Sequence, residues 1–263
     1  DEYDYRENSI YKTYLACDAV SDEILLRNHY RCNKKIIDFN NKKYYNSKLQ
    51  VQSDSRERQP LVYVNVDGGP GDMKNTSPAE VEEIMRYAGE NPDKSIAVIT
   101  PFVNQRILIE RGIKENGFEH VVCGTVHAFQ GDEKDVVLFS TALSDRTGKG
   151  TYDWLKNNKE LINVATSRAK DKLILLADGK ELERLHQGNE DDDLYELVQY
   201  VKMNGESKIT EKHISSRALG IQPFSTETEA AFMKNLTHAL ENIWLTRNKY
   251  TIHKEVAISQ VFR

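Results

Sequence analysis

Five short apolar runs recur through the first two thirds of the chain, at residues 61–66, 96–100, 121–126, 136–141 and 173–177, most of them rich in β-branched side chains. Each is nearly continuous rather than alternating, which is the pattern of a strand covered on both faces. Between them, the spacing of apolar residues predicts helices over Pro78–Glu90 and Val103–Asn116. Thr76 and Ser77 are capping candidates for the first, and Pro78 stands at its first helical position. Strands that alternate with helices form a parallel sheet with helices on both faces. The fold class expected is therefore α/β.

The 263 residues suffice for one large domain or two modest ones. No stretch approaches the roughly 20 apolar residues of a membrane helix, and residues 1–7 are mostly charged or polar, unlike a secretory signal. Cys17, Cys32 and Cys123 are far apart and lack the paired spacing of a zinc site or disulfide framework. A reduced, cytoplasmic protein without membrane partners or a resident metal is expected. The first residue is not Met and the last three, Val261, Phe262 and Arg263, follow a strand-like run, so the chain is expected to be a piece of a longer one.

Past residue 177 the pattern changes. The acidic run 190–193 reads as a solvated helix start, suited to the helix dipole, ahead of a stripe of Leu194, Leu197, Val198 and Val201. A first domain over 1–205, a polar linker over 206–218 and a short α+β extension over 219–263 follow. Residues 67–72 (DGGPGD) lack both phosphate-loop spacings and read as a connecting loop.

Charge is uneven: 27–58 holds nine Lys or Arg against three acids, in a chain whose net charge is -5. Such a patch can hold phosphate or form a solvated helix face. Tyr30, Phe39, Tyr44 and Tyr45 within it are candidates for base stacking or for the core.

Three windows carry polar chemistry. In 124–133 (GTVHAFQGDE), Thr125, His127, Gln130 and Glu133 fall on a turn between two buried strands, near strand ends where open α/β sheets bind ligands. Gly131 permits close backbone approach, and the Glu133 carboxylate can accept hydrogen bonds from ribose hydroxyls. In 161–170, a short apolar run leads into Thr166, Ser167 and Arg168, setting a guanidinium at the sheet edge where it can fork onto phosphate oxygens. In 26–45, Tyr30 and Arg31 end a short strand at the start of a helix, offering a second phosphate-directed arginine.

Taken in order, with residues 99–102 and Gln105, these windows resemble superfamily 1 helicases, in the branch of the nonsense-mediated-decay RNA helicase and its DNA-helicase relatives. The matching stretches look like motif IV (26–45), motif V (124–133) and motif VI (163–170), and the likeness spans about residues 1–180. It is to the second of the family's two RecA-like domains, a P-loop NTPase-type sheet. The resemblance implies that Arg31 and Arg168 reach the γ-phosphate of ATP, with Gln130, Gly131 and Glu133 lining the nucleotide cleft. It implies that Thr100, Thr125 and His127 grip the sugar-phosphate backbone of single-stranded DNA or RNA, and that Gln105 has a structural or backbone-contact role.

The sequence contains no G-x-x-x-x-G-K-[ST] and no Asp-Glu pair in the context of a water-orienting acid. By the resemblance, those parts, with most of the hold on ATP and Mg²⁺, belong to an upstream RecA-like domain. The chain alone is then expected to be inactive. Glu229, Phe232, Leu236 and the run 250–258 resemble the opening helix and strand of a restriction-endonuclease-like domain, or form a plain appendage, and no nuclease activity is expected of them. The rival to a motor domain is a RecA-like binding or interaction module without motor function. A flavodoxin-like small-molecule enzyme would share the fold class but leaves the paired arginines unexplained.

Overall fold

The computed structural model describes residues 10–17, 26–66, 73–125, 133–188 and 191–210. The chain divides between Thr210 and Glu211, and all described residues lie in the first unit. The 67–72 loop, His127, Gln130, Gly131, most of the 206–218 linker and the 219–263 extension with Glu229 lie outside the described residues.

The strands are β1 (Asn28–His29), β2 (Gln50–Val51), β3 (Leu61–Asn65), β4 (Ile96–Ile99), β5 (Val121–Gly124), β6 (Lys134–Ser140), β7 (Ala169–Ala177) and β8 (Glu206–Ile209). The helices are α1 (Ile10–Cys17), α2 (Lys34–Tyr44), α3 (Pro78–Glu90), α4 (Val103–Asn116), α5 (Lys149–Lys156), α6 (Lys159–Ser167), α7 (Gly179–His186) and α8 (Asp193–Asn204). Six strands form one sheet in the order β5-β4-β6-β7-β3-β8, with every pairing parallel. β1 and β2 form a separate parallel pair.

Because side chains alternate across a strand, the sheet sorts its apolar residues into two cores. Tyr63, Ile99, Phe139 and Leu175 share a cluster with residues of α2, α5, α6, α7 and α8, such as Ile37, Leu155, Ile162, Leu182 and Val198. Val64, Val98, Leu138 and Ile174 meet Ile84 and Ala88 of α3 and Ile109 of α4 on the opposite face. The sheet is thus covered by helices on both sides, as the continuous apolar runs require.

α3 begins as expected, with Ser77 as its cap and Ser77 Oγ accepting from the Glu80 amide at 3.3 Å. The spacing of Ser77 and Glu80 is that of a capping box, but Glu80 does not return to the Ser77 amide. Gln105 Oε1 takes that amide at 2.8 Å, while Gln105 Nε2 donates to Ser140 Oγ at 3.0 Å. Gln105 is fully buried and ties α4 to α3 and to the end of β6, the structural one of the two roles considered for it. Glu80 turns inward, with Ser140 Oγ 2.5 Å from Oε2 and the Ala142 amide 3.0 Å from both oxygens. Burial pushes its carboxyl up to about 8.

The apolar run before Arg168 forms helix α6, with Leu161, Ile162 and Ala165 on its buried stripe. Two readings are corrected. The acidic run is not a solvated helix start at Asp192 and Asp193, both of which are buried. Asp192 caps α8 through the Tyr195 amide at 2.8 Å and accepts from the Tyr152 hydroxyl at 2.6 Å, while Asp193 pairs with Lys43 at 3.1 Å. Finally, the region read as a linker starts with β8, which extends the sheet beside β3. Gly205 makes this turn possible: a Cβ there would lie 2.3 Å from the Leu61 carbonyl oxygen.

Candidate functional site

All strands of the main sheet point the same way, so residues just before a strand and just after one fall on opposite edges. Glu133 precedes β6 and Arg168 precedes β7, placing both at the amino edge. Their proximity follows from the ladder: Lys134 pairs with Ala169, and the Lys134 amide donates to the Arg168 carbonyl at 3.2 Å. The turn between β1 and α2 brings Arg31 to the same place, because the Asn33 amide donates to the Lys170 carbonyl at 2.8 Å. Arg31 Nε donates to Glu133 Oε2 at 2.8 Å, and its Nη1 lies 3.4 Å from the Ser167 carbonyl.

The turn beneath Arg31 is held by buried groups. The Cys32 amide donates to His29 Nε2 at 3.0 Å, which requires that nitrogen to be unprotonated. Burial and then Arg31 lower the pKa of His29, in agreement with a neutral ring. Cys32 Sγ donates to the Ser167 carbonyl at 3.2 Å. Its thiol is pushed up to about 12 by burial, against the opposing pull of Arg31 and Arg168, so it stays protonated. Asn33 caps α2 by accepting from the Lys35 amide at 3.0 Å. Behind the turn, Asn40 of α2 and Thr166 of α6 are both fully buried, with Asn40 Nδ2 2.7 Å from Thr166 Oγ1. This bond joins the helix after Arg31 to the helix before Arg168.

Thr100 and Thr125 occupy the other edge, following β4 and β5, and the Thr100 amide donates to the Gly124 carbonyl at 3.2 Å. At roughly 3.3 Å per residue, the length of β6 separates the two edges by about 20 Å. Thr125 and Glu133 therefore lie at different edges, although only seven residues separate them in the chain. Thr125 is half-buried, whereas Thr100 is fully buried and its Oγ1 lies 3.5 Å from the Phe102 amide. As placed, Thr100 shapes the turn and presents no free surface to a strand.

The basic patch is likewise divided. Lys43 is engaged by Asp193 and Glu196, and Arg31 by Glu133. Phe39 lies in the core, the Tyr44 hydroxyl donates to Asp193 at 3.1 Å and Tyr45 Oη accepts from Asn163 at 3.0 Å, leaving Tyr30 exposed beside Arg31. Among the described residues, no three His, Cys, Asp or Glu are grouped to hold a metal ion, and no helix is long and apolar enough to cross a membrane.

Residues 7–180 match the profile of a family described as AAA domain. The chain belongs to this family, the C-terminal motor region of superfamily 1 helicases. Relatives of this helicase domain include an uncharacterized ATP-dependent helicase of Methanocaldococcus jannaschii, 28% identical over 72% of this chain and 31% of that protein. The mouse 3'-5' exoribonuclease HELZ2 is 28% identical over 60% of this chain and 7% of its own length. The Drosophila melanogaster homolog of regulator of nonsense transcripts 1 is 27% identical over 58% and 15%. The helicase domain thus spans less than a third of each of these relatives. Among solved structures, the C-terminal domain of a possible DNA helicase from Lactobacillus plantarum covers 69% of this chain and is itself covered to 99%, at 17% identity and a TM-score of 0.40.

Proposed function

We propose that this chain is the second motor domain of an ATP-dependent superfamily 1 DNA or RNA helicase, working in the cytoplasm, and that its amino edge completes an ATP site begun by an upstream RecA-like domain. The observation that carries the reading is the convergence of Arg31, Glu133 and Arg168 from three separate segments onto one sheet edge. The donor set suits a nucleoside triphosphate: guanidiniums fork onto phosphate oxygens, and a carboxylate accepts from ribose hydroxyls.

ATP with Mg²⁺, held mainly by the upstream domain, would supply the phosphoryl group whose transfer drives the motor. On this reading Arg168 stabilises charge that develops on the γ-phosphate oxygens, and Arg31 does the same after exchanging Glu133 for phosphate. Gln130 and Gly131 line the cleft with Glu133. The Asn40–Thr166 bond makes the two arginines travel as one body when the cleft opens and closes. Thr125, at the opposite edge, and His127 hold the strand backbone. Separating nucleotide and strand by the length of the sheet lets closure at one edge shift the grip at the other.

The test is ATP hydrolysis by a protein that contains both RecA-like domains, with and without single-stranded DNA or RNA, beside this chain alone. Strand-stimulated turnover in the two-domain protein, with none in the chain alone, is expected. No turnover in a folded two-domain protein would leave a binding module without motor function.

A further inference from the structure

We propose that Trp154 is a stacking platform for one base of the bound single strand. The proposal rests on reading the carboxyl edge as the strand-gripping face, and adds to that edge a residue that contacts bases rather than the backbone. Trp154 lies on α5, where Tyr152 and Leu155 are both fully buried and fix the rotation of the helix. That anchoring leaves the indole 50% exposed. One side of the ring leans on Phe102, with centroids 6.1 Å apart and planes tilted by 45°. Phe102 is nearly buried, and its amide meets Thr100 Oγ1 in the turn that closes β4. The indole is therefore held at the carboxyl edge, in contact with the turn that closes β4.

Its surroundings leave a way in. A helical side chain covers the surface over the preceding turn, and the residue four positions before Trp154 is Gly150. A Cβ at Gly150 would meet nothing within 4 Å, and the same holds at Gly148. Lys149 between them is exposed and can meet phosphate charge. A large aromatic side chain that packs on a buried partner and stays half-exposed suits a flat, uncharged ligand. Nucleobases offer such a face whatever their identity, which a motor that moves along any sequence requires. The ring cannot distinguish bases by hydrogen bonding to their edges, so little sequence preference is expected.

The chain has a second tryptophan, Trp244, and Trp244→Phe leaves Trp154 as the sole indole. Titrating this variant of the full chain with homopolymeric single-stranded DNA or RNA should quench its fluorescence. Trp154→Ala should weaken strand binding by about 5- to 150-fold, the range for loss of one stacked base, and Trp154→Phe should recover most of it. An oligonucleotide in which the bases are replaced by abasic sites should bind the parent weakly and be indifferent to Trp154→Ala. If Trp154→Ala does not fold, the comparison of Trp154→Phe and abasic strands still decides the matter. Strand binding that ignores both the substitution and the missing bases, with unchanged fluorescence, overturns the stacking role while leaving the motor reading intact. Failure of the parent chain to bind any strand removes the strand-gripping edge itself, and the stacking proposal with it.

Discussion

Glu80→Gln should make the protein more stable at alkaline pH, and the gain should depend on pH in a way that identifies its source. The Glu80 carboxyl is fully buried and its pKa is raised from 4.5 to about 8. Over that interval the native state keeps a proton that the unfolded chain has lost, so folding takes up a proton and stability falls as pH rises. The slope for one such group approaches about 1.4 kcal/mol per pH unit, giving a loss on the order of 4 kcal/mol by pH 8 and no further loss well above it. Glutamine reproduces the protonated form: its amide N–H can donate to Ser140 Oγ while its oxygen still accepts from the Ala142 amide. The difference in stability between Glu80→Gln and the parent should then widen from about pH 5 to about pH 8 and level off above pH 9. Urea melts at a series of pH values measure it directly. A difference that stays constant with pH would show that Glu80 ionises normally and that its burial does not govern its charge.

Glu133→Gln should change thermal stability by less than about 1 kcal/mol, because its pair with Arg31 is solvent-exposed on the Glu133 side. In the two-domain protein it should nevertheless raise the KM for ATP by about tenfold or more, as for loss of a charged acceptor for the ribose hydroxyls; a collapse in melting temperature would mark the pair as structural. Gly205→Ala should destabilise the domain by about 1–3 kcal/mol, since its Cβ drives against the Leu61 carbonyl and lifts β8 from the sheet. Denaturant melts check this, and an unchanged midpoint would show that the turn can move aside.

How much of this was legible in the sequence depends on whether the signal was local. α3 and α4 match the expected spans because Ser77, Pro78 and the apolar spacing are local determinants of helix start and phase. The central strands stand out because both faces are covered, leaving no polar interruptions. β8 has the opposite character: Glu206, Ser207, Lys208 and Ile209 are all exposed on an edge strand, so nothing in the run distinguishes them from a linker. Asp192 and Asp193 read as solvated because their partners Tyr152 and Lys43 come from distant segments. The division of 124–133 between two edges could have been inferred, since the link between two parallel strands of one sheet must travel from one edge to the other. Glu80 left only a faint sign, a capping-box spacing whose second half is supplied by Gln105.

The central claim is that one sheet edge serves the nucleotide and the other the strand. Its most direct measurement is of ATP turnover and single-strand affinity together, in the two-domain protein carrying Arg168→Ala. Turnover should fall by about 10³-fold, as for loss of an arginine that stabilises phosphoryl transfer, with strand affinity nearly unchanged. Weakened strand binding with turnover preserved would contradict the assignment of Arg168 to the nucleotide edge.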